Sequence, residues 1–144
     1  MEVNRMQITN KELFYTAMML KLDHLVNVEY LFPADSAAMS RELEEAKQTL
    51  RKKKLLKENS KGEVAIDLAL TACASLCAHP QTWTVTESDG YYATIYGTEN
   101  AYMLLERGTE GELTAIWFKD RENLDGYLTG RMNEIKTEAG SNGE

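Results

Sequence analysis

Between residues 82 and 118, apolar and polar positions fall into four short runs that predict four strands joined by turns. Thr82, Thr84 and Thr86 alternate with Trp83 and Val85 across residues 82–87, Asp89-Gly90 marks a two-residue hairpin turn, and residues 91–96 return antiparallel. A turn over residues 97–100 leads to a second pair, residues 101–106 and 112–118, joined through Gly108 and Gly111. This second pair breaks the alternation. Ala101, Met103, Leu105, Leu113, Ala115 and Trp117 fall on one face, while Tyr102, Leu104, Ile116 and Phe118 fall on the other. A strand pair with one face in water alternates apolar with polar, so this pair needs a cover on each side. The cover is a helix of the same chain, a second copy of it, or another protein.

The remaining patterns are helical. Thr9 and Glu12 have the spacing of a capping box, predicting a helix over residues 10–22 with Leu13, Phe14, Ala17, Met18 and Leu20 as its apolar stripe. Residues 2–8 alternate only loosely, as a short strand or an ordered arm, and residues 24–33 form an apolar connector ending at Pro33. Ser36 is placed to cap a second helix over residues 37–54, with Met39, Leu43, Ala46 and Leu50 on one face. Asn59, Ser60 and Gly62 supply turn chemistry. A third helix, begun by Asp67 and stopped at Pro80, is almost wholly apolar and is expected to be central. Asp120 caps a last helix through Leu124, Tyr127, Leu128 and Met132, ending near Lys136. The predicted fold is α+β, with N-terminal helices followed by a four-stranded antiparallel meander and a C-terminal helix. It is expected to form a single domain over residues 1–138, with a Gly/Ser/Asn/Glu-rich disordered tail over residues 139–144.

Composition narrows the partners. A chain of 144 residues, 43% of them hydrophobic, can bury a core without disulfides or metals. The net charge of -7 repels nucleic acid and anionic membranes. No apolar run approaches the ~20 residues that cross a bilayer, and residues 1–10 lack a signal-peptide core, so a cytoplasmic protein without membrane insertion is expected. Cys73 and Cys77 lie four apart on one helix face, poorly placed for a disulfide, and are read as reduced packed thiols.

Catalytic chemistry finds little purchase. His24 and His79 are the only histidines and lie in no catalytic motif; Cys73, Cys77 and His79 fall short of a zinc ligand set; Gly108 and Gly111 form no phosphate loop. The expectation is a protein that is not an enzyme and uses no cofactor or metal. Helices followed by a hairpin do resemble a winged-helix regulator, and half of all Lys and Arg fall between Arg41 and Lys61. However, residues 62–106, which hold the would-be recognition helix and first wing, contain no cation, and Arg51 to Lys54 sit where a helix C-terminus favours positive charge.

The run Leu50-Arg-Lys-Lys-Lys-Leu-Leu56, then Gly62-Glu-Val-Ala-Ile-Asp67, then an apolar helix ending Ala78-His-Pro80, then Trp83-Thr-Val-Thr and the meander, resembles the EspG-type chaperones of ESX (type VII) secretion. The order matches over residues 7–128. Members of that family are built from two related halves, and this chain corresponds to one. The resemblance implies a half-length Gram-positive relative that holds a secreted helical protein or toxin soluble in the cytoplasm until export, and that pairs with itself or with its client in place of the missing half. The candidate partner-binding residues are Tyr102, Leu104, Ile116 and Phe118 on the second sheet face, together with Tyr91, Tyr92 and Tyr96. The alternatives are the winged-helix-like transcriptional regulator and a non-catalytic structural or immunity-type binding protein.

Overall fold

The Thr9–Glu12 capping box forms as its spacing requires: the Glu12 N–H donates to Thr9 Oγ1 at 3.1 Å, and the Thr9 N–H donates to Glu12 Oε1 at 2.8 Å. It joins the first strand to the first helix in a computed structural model that describes residues 4–142, with side chains through residue 135. The elements run β1 (Asn4–Thr9), α1 (Asn10–Met19), α2 (Ser36–Lys52), β2 (Leu56–Glu58), β3 (Val64–Ile66), α3 (Leu68–Ala78), β4 (Thr82–Ser88), β5 (Tyr91–Gly97), β6 (Tyr102–Arg107), β7 (Glu112–Phe118) and α4 (Arg121–Asn142). The fold is α+β, but it departs from the expected four-stranded meander. β1 joins the sheet beside β7, giving five antiparallel strands in the order β1-β7-β6-β5-β4, and β2 and β3 form a separate hairpin. Strands of three residues are too short for a period to declare itself, so the β2–β3 hairpin is visible in the sequence only as the Asn59–Gly62 turn.

Among the described residues the chain divides into two compact units, one over Ile8–His79 and one that joins the segment up to Gln7 with the segment from Pro80. The helical unit is organised by Glu12, which is 1% exposed. Besides its cap, Glu12 receives the Lys53 ammonium at 2.6 Å and the Thr49 hydroxyl at 2.5 Å, so α1 is tied to the C-terminal end of α2. A buried carboxylate is tolerated when donors satisfy it in this way. The 24–33 connector is held by Leu25 and Val28 in the core, by the Asn10 amide donating to the Glu29 carbonyl, and by the ring series Phe14, Tyr30, Phe32.

Both α1 and α2 stop earlier than their apolar patterns do. Lys21 (φ 58°) and Lys54 (φ 63°) adopt the left-handed conformation; the Leu22 N–H then reaches the Ala17 carbonyl and the Leu55 N–H the Leu50 carbonyl. This is the Schellman closure, built on lysine where glycine is usual. At the other end of α2 the cap is Asp35 rather than Ser36, accepting from the Ala38 N–H at 2.9 Å. Asp67 caps α3 as expected, but α3 is not buried all round. Leu70, Cys73, Ala74, Cys77 and Ala78 face inward, while Ala69, Ala72 and Ser75 are exposed and Leu68 is 85% exposed.

In the sheet unit, Asp89 and Gly90 both take positive φ, giving the type I′ turn that their sequence announces. The registers place Met103 opposite Trp117 and Leu105 opposite Ala115 on one face, Tyr102 opposite Phe118 and Leu104 opposite Ile116 on the other. The two-faced pattern of β6 and β7 is therefore real. Asp120 accepts from the Asn123 N–H at 2.8 Å and starts α4, whose backbone continues to Asn142 and so enters the expected tail, of which residues 143–144 lie outside the described residues.

Because a non-glycine residue in the left-handed region costs roughly 1–2 kcal/mol while glycine adds unfolded-chain entropy of about half that, Lys21→Gly or Lys54→Gly should stabilise the protein by about 0.5–1 kcal/mol. Urea denaturation curves of the two variants check this, with a rightward shift of the midpoint expected at unchanged slope.

Candidate protein-interaction surface

The second face of the sheet is covered by the chain's own C-terminal helix. Tyr91, Ala93, Ile95, Leu104, Ile116, Phe118 and Leu124 form one buried cluster, and Tyr102, Tyr127, Leu128, Met132 and Ile135 pack against it. The apolar stripe of α4 thus lies where the patterning left a gap. Of the candidate partner residues, Leu104 and Ile116 are fully buried, Phe118 is 6% exposed with its ring 5.5 Å from that of Tyr127, and Tyr102 packs at the margin with the Arg121 guanidinium 5.8 Å from its ring. Tyr96 and Tyr92 lie on the opposite face of β5. Tyr96 is fully buried, and Tyr92 is half-buried with the Arg107 guanidinium 4.0 Å from its ring centre. These seven side chains do not form one open surface: five belong to the core beneath α4 and two to the other face.

A polar clasp secures α4 at the edge of this core. Glu106 ends the apolar run of β6 and is 8% exposed. Its Oε2 accepts from the Tyr91 hydroxyl at 2.5 Å and the Tyr127 hydroxyl at 3.0 Å, and lies 3.4 Å from Arg131 Nε. Arg131 also crosses the Tyr91 ring at 5.5 Å and pairs with Glu134 at 3.1 Å. Burial, and then the hydrogen bond to Glu106, drives the Tyr91 phenol far above its ordinary value; burial and the Glu106 charge raise that of Tyr127. Both phenols are therefore donors throughout the neutral range. The arrangement neutralises and satisfies a carboxylate, holding β5, β6 and α4 together. Sequence reasoning misses it because Tyr91, Glu106, Tyr127 and Arg131 sit on three different elements, with no local spacing to relate them.

The open chemistry of the sheet unit is at its other margin. β4 ends the strand order, and residues 82–85 are all exposed, with Trp83 at 48% and Val85 at 43%. β4 pairs with β5 through seven consecutive positions, Thr82 with Gly97 to Ser88 with Tyr91, so no bulge twists it away. It contains no Lys, Arg or Pro, whereas β1 at the opposite edge carries Arg5. Gly97 is required where it stands, since a Cβ there would lie 2.5 Å from Thr82 Oγ1. Alternation alone would place Trp83 and Val85 inside.

Elsewhere, two cations of the basic run at the end of α2, and Lys47 before it, face carboxylates of the same unit. Lys53 holds Glu12, and Lys47 and Arg51 lie 3.0 Å and 3.9 Å from Glu58. The β4–β5 hairpin, the would-be wing, is part of the five-stranded sheet. Cys73 and Cys77 are free and buried, and the hydrogen bond between them, then burial, pushes the Cys73 thiol well up. The His24 and His79 rings meet edge to face at 6.2 Å. Lys54, Lys57, Ala65 and Asp67 border a hollow of about 260 Å³, smaller than the ~300–1,000 Å³ of drug-sized ligand sites. Among the described residues, no group of three or more His, Cys, Asp or Glu could hold a metal ion, and no helix is long and apolar enough to cross a membrane. No protein-family model and no curated protein matches the chain.

Two consequences can be measured. Phe118→Asp puts a charge beneath α4 and should lower the unfolding free energy by about 3–5 kcal/mol in urea denaturation. The folded state holds the Tyr91 and Tyr127 protons more tightly than the unfolded state, whose tyrosines keep the ordinary value of 10.0. Their contribution is thus complete below about pH 10 and is lost as pH rises above it. The urea midpoint should accordingly fall steeply above about pH 10, and Tyr91→Phe should flatten that fall while lowering neutral-pH stability by about 1–2 kcal/mol.

Proposed function

We propose that this chain is a non-catalytic, cytoplasmic chaperone or adaptor that binds a helical substrate or toxin of a type VII (ESX) secretion system and keeps it soluble for export. The family part of the reading rests on the ordered resemblance from Leu50 through Trp83 to the end of the meander. The binding part rests on one observation, the exposed Trp83 and Val85 side by side on the β4 flank of an acidic protein. A tryptophan left half in water beside a β-branched residue offers the apolar contact that a helix's hydrophobic face seeks, and Trp is favoured at interface centres. Client contact moves from the Phe118 face, which is core, to this flank.

The regulator reading has less support. Two of the cations it would need, Arg51 and Lys53, are occupied by Glu58 and the buried Glu12, and the would-be wing is a sheet hairpin. A structural or immunity-type binder would use the same flank but a different partner.

Affinity capture from the native host separates these readings. The wild-type chain should enrich a type VII substrate or toxin, and Trp83→Lys with Val85→Lys should reduce that enrichment at least about tenfold, the effect of losing roughly 1.4 kcal/mol of contact. If no such substrate is enriched over an unrelated bait, the secretion reading fails. If capture is unchanged in the double variant, the assignment to β4 fails.

A further inference from the structure

We propose that β4 pairs antiparallel with β4 of a second copy, centred on Thr84, so that two sheets become one and their Trp83–Val85 flanks merge into a single apolar strip. The inference takes its biological sense from the chaperone reading above, but the pairing itself stands on the strand.

An edge strand presents a row of unpaired N–H and C=O groups, and folded proteins blunt such edges with lysine, proline, inward charges or bulges. β4 has none of these over residues 82–86, is bulge-free, and is exposed on both sides from residue 82 to residue 85. An edge of that kind is completed by another strand. The sequence of β4 also specifies which strand. A two-fold axis at Thr84 sets Trp83 against Val85 of the second copy and Val85 against its Trp83, both on one face, the aromatic with β-branched pairing that stabilises neighbouring strands. On the other face it sets Thr82 against Thr86, and Thr84 against itself. Glu87 then meets Gln81, so no carboxylates oppose each other, which matters for a chain of net charge -7.

Neighbouring registers are worse. An axis at Val85 sets Trp83 against Glu87, and a register that pairs residue 84 with 85 sets Trp83 against Thr86, which would turn the two sheets over and so admits no two-fold axis. Pro80, which cannot donate to a ladder, bounds the paired segment on its N-terminal side. The strip made by two Trp83 and two Val85 side chains is twice as long as either copy offers, a length suited to one face of a client helix. Pairing thus supplies the two-half layout from two copies of a single chain.

Cross-linking of purified protein reads the register directly. Thr84→Cys should give a covalent dimer with a short bismaleimide, because residue 84 faces its own counterpart. Thr82→Cys or Thr86→Cys alone should not, since each lies about four residues, roughly 13 Å, from its counterpart, whereas a mixture of those two variants should cross-link. Cys73 and Cys77 are buried, so the wild-type chain serves as the blank. In light scattering, Val85→Lys should give a monomeric mass, and Trp83→Glu combined with Val85→Lys should restore the dimer by placing Glu opposite Lys across the axis. Circular dichroism confirms that each variant is folded. A wild type that stays monomeric at millimolar concentration, together with a Thr84→Cys variant that forms no cross-link, overturns the pairing, as does equal cross-linking from all three single variants. A monomer that still captures a type VII substrate overturns this inference alone; a dimer that captures none overturns the chaperone reading alone.

Discussion

Strands that are apolar on both faces cannot lie against water on either, and the sheet unit is organised around meeting that constraint at β6 and β7. α4 is long enough to lay Leu124, Tyr127, Leu128, Met132 and Ile135 over the inner face. Glu106 then fastens it through two phenols and a guanidinium at the point where the apolar run of β6 gives way to charge. The hydrophobic contact is non-directional and would allow the helix to slide along the sheet. The clasp is directional and sets its position. Neither would suffice alone: the clasp without the apolar cover would be a solvated ion pair worth little, and the cover without the clasp would leave Glu106 buried without donors.

The same division of labour recurs in the helical unit. Glu12 is nearly inaccessible, and its two oxygens are shared among the Thr9 N–H, the Thr49 hydroxyl and the Lys53 ammonium. Ala17 on α1 and Ala46 and Leu50 on α2 are buried apolar positions, and a single carboxylate ties the two helices together. In each unit the stabilising area is apolar, while specificity rests on one acidic group whose partners come from other elements.

Such groups mark the boundary of what the chain's own pattern reveals. Features made by residues three or four apart are legible: the capping box, the Asp67 and Asp120 caps, the Asp89-Gly90 turn, and the alternation that separates the two faces of β6 and β7. Features made by distant residues are not. Glu12 can be read as half of a capping box but not as the partner of Lys53, forty-one positions on, and Glu106 gives no sign of Tyr127 or Arg131. The ends of α1 and α2 are hidden for a different reason. Lys21 and Lys54 occupy left-handed positions that glycine usually marks, so the stop signal is absent although the stop is present. The two-faced strands do need two covers, as their pattern says, but nothing in the pattern identifies the second as α4. The partner residues inferred from it are therefore core residues.

What alternation hides most completely is the difference between a strand inside a sheet and one at its edge. Thr82 to Thr86 would read the same in either place, with threonines outward and Trp83 and Val85 inward. The strand order makes it an edge, and Trp83 and Val85 are each left about half open to solvent there. A protein gains nothing in stability by leaving the five strand-favouring residues Thr82 to Thr86 open at the margin of a sheet, and it risks uncontrolled association. The charge pattern sharpens the point. Cations are absent from residues 62–106, so the ordinary device of a guarding lysine is missing where an edge needs it, while Arg5 stands on the opposite edge strand. An unguarded edge with a self-complementary register is the feature that the proposed pairing would close. Closure by another copy also limits the association, because once each β4 has found its counterpart no edge of that kind remains to recruit a third chain.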